Sequence, residues 1–388
     1  MPDYTSDLSF NFNNPTKIVF GAGAVNDIGP EMDSLNKKRA VIITDEGLAA
    51  TGIVDRIKNL LGKKCVGIFS EVKPDTGVYI IDRGVKYAKG LDADILISVG
   101  GGSSIDTAKA MAILLTEGGR LEDYQGWQIL KRPLIPHIAV PTTAGTGSEV
   151  TYIAVVKDHD RGIKLVFGDN HLIPNTAILD PELTINLPPV ITASTGMDAL
   201  SHAIESMHSL QRQPIADGLA LQAIRMIFRY LPQCVENGND IAARGQQQIA
   251  ATIAGIAFSN AQLGIVHAMA HAVGGKFGVP HGVANAILLP YGMEYNIDMC
   301  EDEYAMIAEA AEIDIHKKTK RESAEMAIYA VKRLTEDIGL PTRLSDVNVL
   351  KEGLHACAED AMADPAIIYN PRTPSGPDEV LKLLEKAW

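Results

Sequence analysis

The chain has 388 residues, 46% of them hydrophobic, and its 35 basic and 48 acidic side chains give a formal net charge of −13. This length accommodates two domains with a full core each, and the acidic balance argues against a nucleic-acid partner or an anionic-membrane partner, since both need a basic face. Four scattered cysteines without a CxxC spacing, and an N-terminus without a signal-peptide pattern, predict a cytoplasmic protein without disulfides or a thiolate metal site.

The first half of the chain alternates short apolar runs with helical patterns. Helical periodicity covers 48–61, 79–89 and 105–115. The apolar runs are rich in β-branched residues and occupy 17–21, 40–45, 66–70, 93–102 and 137–143. Strands that alternate with helices predict a Rossmann-like α/β domain, a parallel sheet with helices on both faces. The runs lack polar alternation, as expected of strands buried on both sides.

The segment VGGGSSIDTAKA (99–110) follows the fourth of these runs and opens a helix. Its glycines let backbone N–H groups approach an anion, and the helix N-terminus adds a positive dipole, so the segment predicts a pyrophosphate site. A plain tight turn is the alternative. The earlier FGAGAV (20–25) does not continue as GxGxxG, because Asn26 follows it, and we expect a packing turn there.

Two other strand ends carry polar residues that suit a dinucleotide. Asp45 closes AVIITD, where a carboxylate can accept hydrogen bonds from an adenosine ribose and would repel a 2′-phosphate, which favours NAD over NADP. An aspartate after a strand is also a common helix cap. Thr142, Thr143 and Thr146 in PTTAGTGSEV can bind phosphate or the nicotinamide carboxamide, although such clusters are usually loops.

The second half of the chain is helical. Pro188–Pro189 mark the change, so we predict domains at 1–187 and 188–388, the second of them all-α. The segment 245–275 has no charged residue and exceeds the ~20 residues that span a bilayer, but its polar side chains favour a buried helix. Helical periodicity covers 192–208, 214–237, 240–262, 264–274, 302–312, 321–338 and 378–387.

Five candidate metal ligands lie in this second half. Asp198 and His202 are four residues apart, His267 and His271 repeat that spacing, and His281 follows a glycine-rich turn. Residues four apart share a helix face, and one carboxylate with several imidazoles suits a first-row metal. Histidines satisfied inside a core are the alternative. Spacing alone does not say which of the five groups would bind the metal.

The chain resembles the iron-containing (group III) alcohol dehydrogenases over essentially its full length. The matching motifs are GGGSSIDTAK, PTTAGTGSE, TGMDALSHAIE, NAQLGIVHAMAHAVGG, PHGVANAILLP and NPR (370–372), and the 1,3-propanediol dehydrogenase and short-chain aldehyde reductase branch is the most similar. The resemblance implies that Asp198, His202, His267 and His281 bind the metal and that His271 lies beside it as a proton-relay candidate. It also implies cofactor contacts from Asp45, Gly101, Gly102, Ser103, Asp106, Thr142, Thr143, Thr146, Lys164, Leu183 and Leu187.

The implied reaction is hydride transfer between NAD(H) and a short-chain primary alcohol or diol and its aldehyde, with Fe(II) as Lewis acid and Zn(II) as the other metal to consider. A small charged aldehyde such as sulfoacetaldehyde or lactaldehyde is an alternative substrate. A lyase or cyclase on the same scaffold, and a non-catalytic filament protein, are alternatives from other classes. We expect a homodimer or a higher homo-oligomer.

Overall fold

The computed structural model describes residues 8–159, 161 and 163–388. These residues form two compact units, one of residues 14–187 and one of residues 188–388 together with residues 8–13. The sequence assigned 8–13 to the first domain, and the structure corrects this. The backbone N–H of Asn13 donates to Asn260 Oδ1 at 2.7 Å, and Asn260 Nδ2 donates to the Asn13 carbonyl at 3.1 Å, so this segment packs on the helical unit.

The first unit is built on a parallel sheet. Its strands are β1 (Lys17–Phe20), β2 (Ala40–Asp45), β3 (Cys65–Val72), β4 (Ile95–Gly100), β5 (Gly126–Trp127), β6 (His137–Pro141), β7 (Ile153–Asp158), β8 (Ile163–Gly168) and β9 (Thr176–Leu179). Its helices are α1 (Ile28–Ser34), α2 (Glu46–Ala49), α3 (Ile53–Leu61), α4 (Val78–Gly90) and α5 (Gly102–Thr116). Within the described residues, six strands pair in parallel in the order β1-β9-β6-β4-β2-β3.

Alternate residues of the central strands enter two separate cores. Val41 and Ile43 of β2 pack in a cluster with α4 and α5, whereas Ala40 and Ile42 pack in a cluster with α1 and α3. A strand with helices on both sides needs apolar residues at every position. The predicted Rossmann-like sheet with helices on both faces is therefore confirmed.

The structure differs from the prediction at several elements of this unit. The single helix expected over 48–61 is two helices, because Gly52 between α2 and α3 has a φ of 86° and interrupts the helical backbone. The sequence pattern also missed β9, which lies between β1 and β6, and a small sheet in the order β5-β8-β7. In β7 the residues alternate between half-buried and buried, so its apolar signal is weaker than that of the main sheet.

The second unit is helical, and its described residues form no strand. Pro189 is the first residue of α6, a position where its missing N–H costs nothing. The sequence pattern missed α10 and α13, and in α10 the internal Pro290 hides the helical signal. The helices are α6 (Pro189–His208), α7 (Pro214–Glu236), α8 (Ile241–Ala261), α9 (Ile265–Phe277), α10 (His281–Asn296), α11 (Glu301–Ala310), α12 (Lys320–Asp337), α13 (Leu354–Met362) and α14 (Pro377–Ala387).

The long uncharged segment becomes two helices with a sharp bend between them. Helix α8 is mostly buried, and α9 turns by 106° from its direction. Among the described residues, no single helix has the length and hydrophobicity to cross a membrane. Only the two helices of this bent pair, taken together, have that length and hydrophobicity.

Candidate metal centre

Helix α6 carries a row of acidic and imidazole side chains on one face. Asp198, His202 and Glu205 are four and then three residues apart, so they project from successive turns on the same side. All three are buried. Buried groups of this kind need partners, and α9 and α10 pack against α6 and supply them.

Helices α9 and α10 bring two further imidazoles towards Asp198. His267 lies in the first turn of α9, and His281 is the first residue of α10. Gly282 allows α10 to come this close, because a Cβ at that position would collide with the carbonyl oxygen of Ser194 in α6. The two helix starts therefore meet the middle of α6.

Three ligand atoms converge where these helices meet. Asp198 Oδ1 lies 3.8 Å from His267 Nε2 and 3.4 Å from His281 Nε2, and the three groups offer ligand atoms within 4.8 Å of one another. Tetrahedral ligands at about 2.1 Å from a metal are about 3.4 Å apart, so the spacing fits a metal ion. His202 Nε2 lies 3.8 Å from the same Oδ1, outside this compact set, and its ring stacks on His267.

Glu205 determines which nitrogen of His267 carries the proton. His267 Nδ1 donates to Glu205 Oε2, because an ionised carboxylate can only accept. Nε2 therefore faces Asp198, and its lone pair can bind a cation once this nitrogen has lost its proton. Burial works to lower the pKa of His267, but the Glu205 and Asp198 carboxylates outweigh it and raise the pKa to about 9. The surroundings of His267 thus favour positive charge.

The carboxyl group of Asp198 is ionised. Burial works to raise its pKa, but the imidazoles of His202, His281 and His267 hold the pKa well below its usual range. One carboxylate with neutral imidazoles is a ligand set that Fe(II) and Zn(II) both accept. The residues present therefore fit a divalent metal.

His271 lies beside this set and is oriented by an aspartate. Its ring stacks on His281 with 5.2 Å between the centroids, and its Nδ1 is 2.7 Å from Asp364 Oδ2. Burial works to raise the pKa of Asp364, but His271 outweighs it, and the pKa is lowered. The side chain of His271 is 29% exposed, against 1% for His267, so solvent reaches this imidazole.

In the sheet unit, the predicted cofactor residues follow three neighbouring strands. Asp45 ends β2, Gly101 follows β4 and Thr142 follows β6, and these strands are adjacent in the sheet. The Thr142 backbone N–H donates to the Gly100 carbonyl at 3.1 Å and joins two of the loops. Open α/β sheets bind ligands at the carboxyl ends of their strands.

The start of α5 lies at this same edge. Gly102 and Ser103 form its first turn. A Cβ at Gly102 would lie 2.8 Å from Thr146 Cγ2, and a Cβ at Gly101 would lie 3.2 Å from Thr143 Oγ1, so both threonines contact the glycine backbone. First-turn N–H groups and the helix dipole favour an anion here.

Asp45 also caps a helix. Its Oδ1 accepts a hydrogen bond from the Leu48 N–H at 2.8 Å, at the start of α2. The cap that the sequence left open as an alternative is therefore present. The cap occupies one carboxylate oxygen, and the contact with a ribose stays a prediction.

Two predicted cofactor residues have other roles in the structure. Both oxygens of Asp106 are used inside the unit, since Ser148 Oγ donates to one at 2.5 Å and the Val155 N–H donates to the other at 3.0 Å. Burial raises the pKa of Asp106, and the residue anchors the segment between β6 and β7; its contact with a pyrophosphate stays a prediction. Leu183 packs in the core shared by α1 and α3, and its place in a cofactor groove stays a prediction.

Lys164 and Leu187 lie elsewhere in the unit. Lys164 is in β8, and its Nζ is 3.4 Å from Asp75 Oδ1. Leu187 is partly buried and is the last residue of the sheet unit. Their cofactor contacts stay predictions.

Comparison with known proteins identifies the family. Residues 15–181 match the family described as iron-containing alcohol dehydrogenase, and residues 192–388 match the C-terminal part of the Fe-containing alcohol dehydrogenase family. The chain belongs to the iron-containing alcohol dehydrogenase family. It is therefore an enzyme, an oxidoreductase that acts on an alcohol or aldehyde. The lyase, cyclase and filament alternatives give way to this assignment.

Individual dehydrogenases are similar to this chain over nearly their whole length. The chain is 40% identical over 367 residues to 1,3-propanediol dehydrogenase of Klebsiella pneumoniae, covering 94% of this chain and 95% of that protein. It is 38% identical over 364 residues to NAD-dependent methanol dehydrogenase of Bacillus methanolicus, covering 93% and 96%. A crystal structure of 1,3-propanediol oxidoreductase superposes with a TM-score of 0.96 at 38% identity, covering 98% of this chain and 100% of that one.

Sequence reasoning missed two carboxylates of this centre. Glu205 binds His267, and Asp364 binds His271, from positions 62 and 93 residues distant in the chain. Glu205 lies seven residues after Asp198, on the same helix face, so its spacing was a usable signal. Asp364 has no comparable spacing signal, because only the fold brings it to α9.

Proposed function

We propose that the enzyme interconverts a short-chain primary alcohol or diol and its aldehyde, using NAD(H) and one divalent metal. Asp198, His202, His267 and His281 would hold the metal. The convergence of Asp198 Oδ1, His267 Nε2 and His281 Nε2 in a buried part of the helical unit is the observation that carries the proposal. His202 joins this set with a small movement, because its Nε2 lies 3.8 Å from Asp198 Oδ1.

Fe(II) is the metal we propose, with Zn(II) as its competitor. One carboxylate and three imidazoles suit either ion, and zinc binds such ligands more tightly than iron. Membership of an iron-containing family supports Fe(II). Metal analysis of enzyme purified without oxygen and without added zinc decides between the two. Full activity in iron-free protein would exclude Fe(II).

When bound, the metal would supply Lewis-acid polarisation of the substrate oxygen, and NAD(H) would supply the hydride chemistry at the alcohol carbon. The alcohol then becomes an aldehyde and one proton is released. His271 is placed to carry that proton, because its ring stacks on His281 and its side chain is partly exposed. Asp364 fixes the ring by accepting the Nδ1–H, so Nε2 is the nitrogen that takes the proton and passes it on.

The start of α5 is the proposed pyrophosphate site. Gly101, Gly102 and Ser103 would present backbone N–H groups, and Thr143 and Thr146 pack beside them. Asp45 would accept hydrogen bonds from the adenosine ribose, and Thr142 would contribute from the end of β6. This arrangement supports NAD over NADP, since a carboxylate at the ribose repels a 2′-phosphate.

Relatives support small substrates. The similar proteins named above act on 1,3-propanediol and on methanol. Primary alcohols and diols of two to four carbons are therefore the first class to test, with anionic aldehydes of the same size as the competing class. The change in NADH absorbance with each aldehyde tests the proposal directly. No turnover with any of them would refute it.

The metal dependence of this activity can be tested by removing one ligand. His267→Ala removes a ligand whose side chain is 1% exposed, and we expect loss of metal and of nearly all turnover with the fold retained. Metal content and circular dichroism are measured on the same sample. Turnover that survives in metal-free His267→Ala would contradict the proposed mechanism.

The enzyme is also proposed to be a homodimer. In the described part of the chain, β1 pairs only with β9 and forms an edge of the sheet. Ile18 and Phe20 of β1 are 40% and 46% exposed, which is typical of an edge that another chain covers. Light scattering of Phe20→Lys should report a monomer where the parent enzyme is a dimer. A parent enzyme that is already monomeric would refute the dimer.

A further inference from the structure

The buried side chain of Asn285 contacts every member of the three-group metal set. Asn285 lies one turn after His281 in α10. Its Nδ2 is 2.8 Å from Asp198 Oδ1, 3.2 Å from His267 Nε2 and 3.1 Å from His281 Nε2. The sequence motifs gave no reason to single out this residue.

The chemistry of the neighbours fixes the orientation of this amide. Asp198 is ionised and can only accept, so the NH₂ group of Asn285, and not its carbonyl, must face it. Asn285 Oδ1 is buried and has no hydrogen-bond partner among the described residues. Leaving a buried carbonyl unpaired is costly, so the contacts on the NH₂ side must compensate.

Three acceptors surround an NH₂ group that has two hydrogens. Metal binding requires neutral imidazoles; each then has one lone pair at Nε2, and a bound metal would use both of them. A carboxylate oxygen has more than one lone pair, so Asp198 Oδ1 can bind the metal and still accept from Asn285. Of the three contacts, only the one to Asp198 can persist in a loaded site, after the amide has moved away from the two imidazoles.

We propose that Asn285 is a positioning residue of the metal centre. Its N–H bond to Asp198 holds the carboxylate in the orientation that binds the metal, and in this way it sets metal affinity without being a ligand. The inference depends on the proposed function, since it assumes a metal at Asp198, His267 and His281. Partners that orient metal ligands typically contribute 10- to 100-fold in affinity.

The test is the affinity and the spectrum of cobalt(II) in the intact enzyme. Asn285→Leu preserves the size of the side chain and removes its hydrogen bonds, and Asn285→Ala removes both. The cobalt-loaded proteins are titrated with a competing chelator. We expect about 10- to 100-fold weaker binding in both variants, with the same cobalt absorption bands as the parent enzyme because the ligands are unchanged.

Thr335→Ala is the matched control. Thr335 is buried in α12, and its hydroxyl donates to the Val331 carbonyl at 3.0 Å. Loss of this buried hydrogen bond should leave cobalt affinity at the parent value. A similar loss of affinity in Thr335→Ala would assign the effect to general destabilisation and overturn the inference.

Two other results would also overturn the inference. One is an Asn285→Leu variant that binds cobalt with the affinity of the parent enzyme. The other is a variant whose absorption bands show a changed cobalt coordination number, which would make Asn285 a ligand. If the Leu variant does not fold, the Ala variant is read in the same way. The proposed function is judged separately, since a parent enzyme that binds no cobalt, or an Asp198→Ala variant that binds it normally, would refute the metal site itself.

Discussion

Replacing Glu205 with glutamine should change the pH dependence of metal binding in a way that few other substitutions would. In the parent enzyme Glu205 has two opposed effects on His267. It orients the ring for the metal, and partners of this kind contribute about 10- to 100-fold in affinity. It also helps raise the pKa of His267 to about 9, so a proton competes with the metal at lower pH.

These two effects have similar magnitudes near neutral pH. With a pKa of about 9, proton competition at His267 weakens metal binding about 100-fold at pH 7, tenfold for each unit below 9. Glu205→Gln removes the charge, so the pKa of His267 falls and this competition decreases. At the same time the orienting contact is weakened. We therefore expect the parent enzyme and Glu205→Gln to bind the metal with similar affinity near pH 7. At pH 9 we expect the variant to bind it about 10- to 100-fold more weakly than the parent enzyme.

The assay is chelator competition for zinc from pH 7 to pH 9. The slope of log affinity against pH should be steeper in the parent enzyme than in Glu205→Gln. Asp217→Asn is the control, because Asp217 is another buried carboxylate and is paired with Arg212 at 2.6 Å; it should keep the parent slope. Parallel curves for the parent enzyme and Glu205→Gln would refute the role of Glu205.

Three further predictions follow from other contacts. Asp45→Gly should raise the NADP⁺-to-NAD⁺ ratio of kcat/KM about tenfold or more, since a like-charge repulsion is removed; an unchanged ratio in steady-state kinetics would contradict the ribose contact. Asp364→Asn should lower kcat about tenfold or more, because His271 loses its charged partner, and unchanged kcat at unchanged metal content would argue against the relay. Burial lowers the pKa of His137 to about 3 and of His208 to about 4, in His137 with help from Lys109. Both histidines are neutral in the folded state and protonate near pH 6.5 when unfolded. Their contribution to the free energy of unfolding is therefore complete above pH 6.5 and decreases as the pH falls, by about 2 kcal/mol per group at pH 5. Urea unfolding at pH 7 and pH 5 measures this loss, and equal stabilities would contradict it.

The sheet was predictable where burial on both faces produced unbroken apolar runs. Strands β2 and β4 are buried along nearly their whole length, and each has an apolar run in the sequence. Strand β9 is equally buried but has four residues, too few for a pattern. Strand β8 mixes exposed and buried residues because it lies in the small sheet. The strands that the sequence pattern missed are therefore those that are too short or are buried on one side only.

The candidate ligands were predictable because helix geometry places residues four apart on one face. That rule finds Asp198 with His202 and His267 with His271, but it treats all imidazoles alike. In the structure the histidines differ in their hydrogen-bond partners. His267 Nδ1 is bound to Glu205, and His271 Nδ1 is bound to Asp364.

Those partners orient each imidazole in the same way. The bond to Glu205 frees His267 Nε2, which lies 3.8 Å from Asp198 Oδ1 inside the helical core. The bond to Asp364 likewise frees His271 Nε2, but this side chain is 29% exposed and lies outside the compact set. Both bonds leave Nε2 available, so the proposed division into a ligand and a proton carrier depends on burial and on position relative to Asp198, which no helical period encodes.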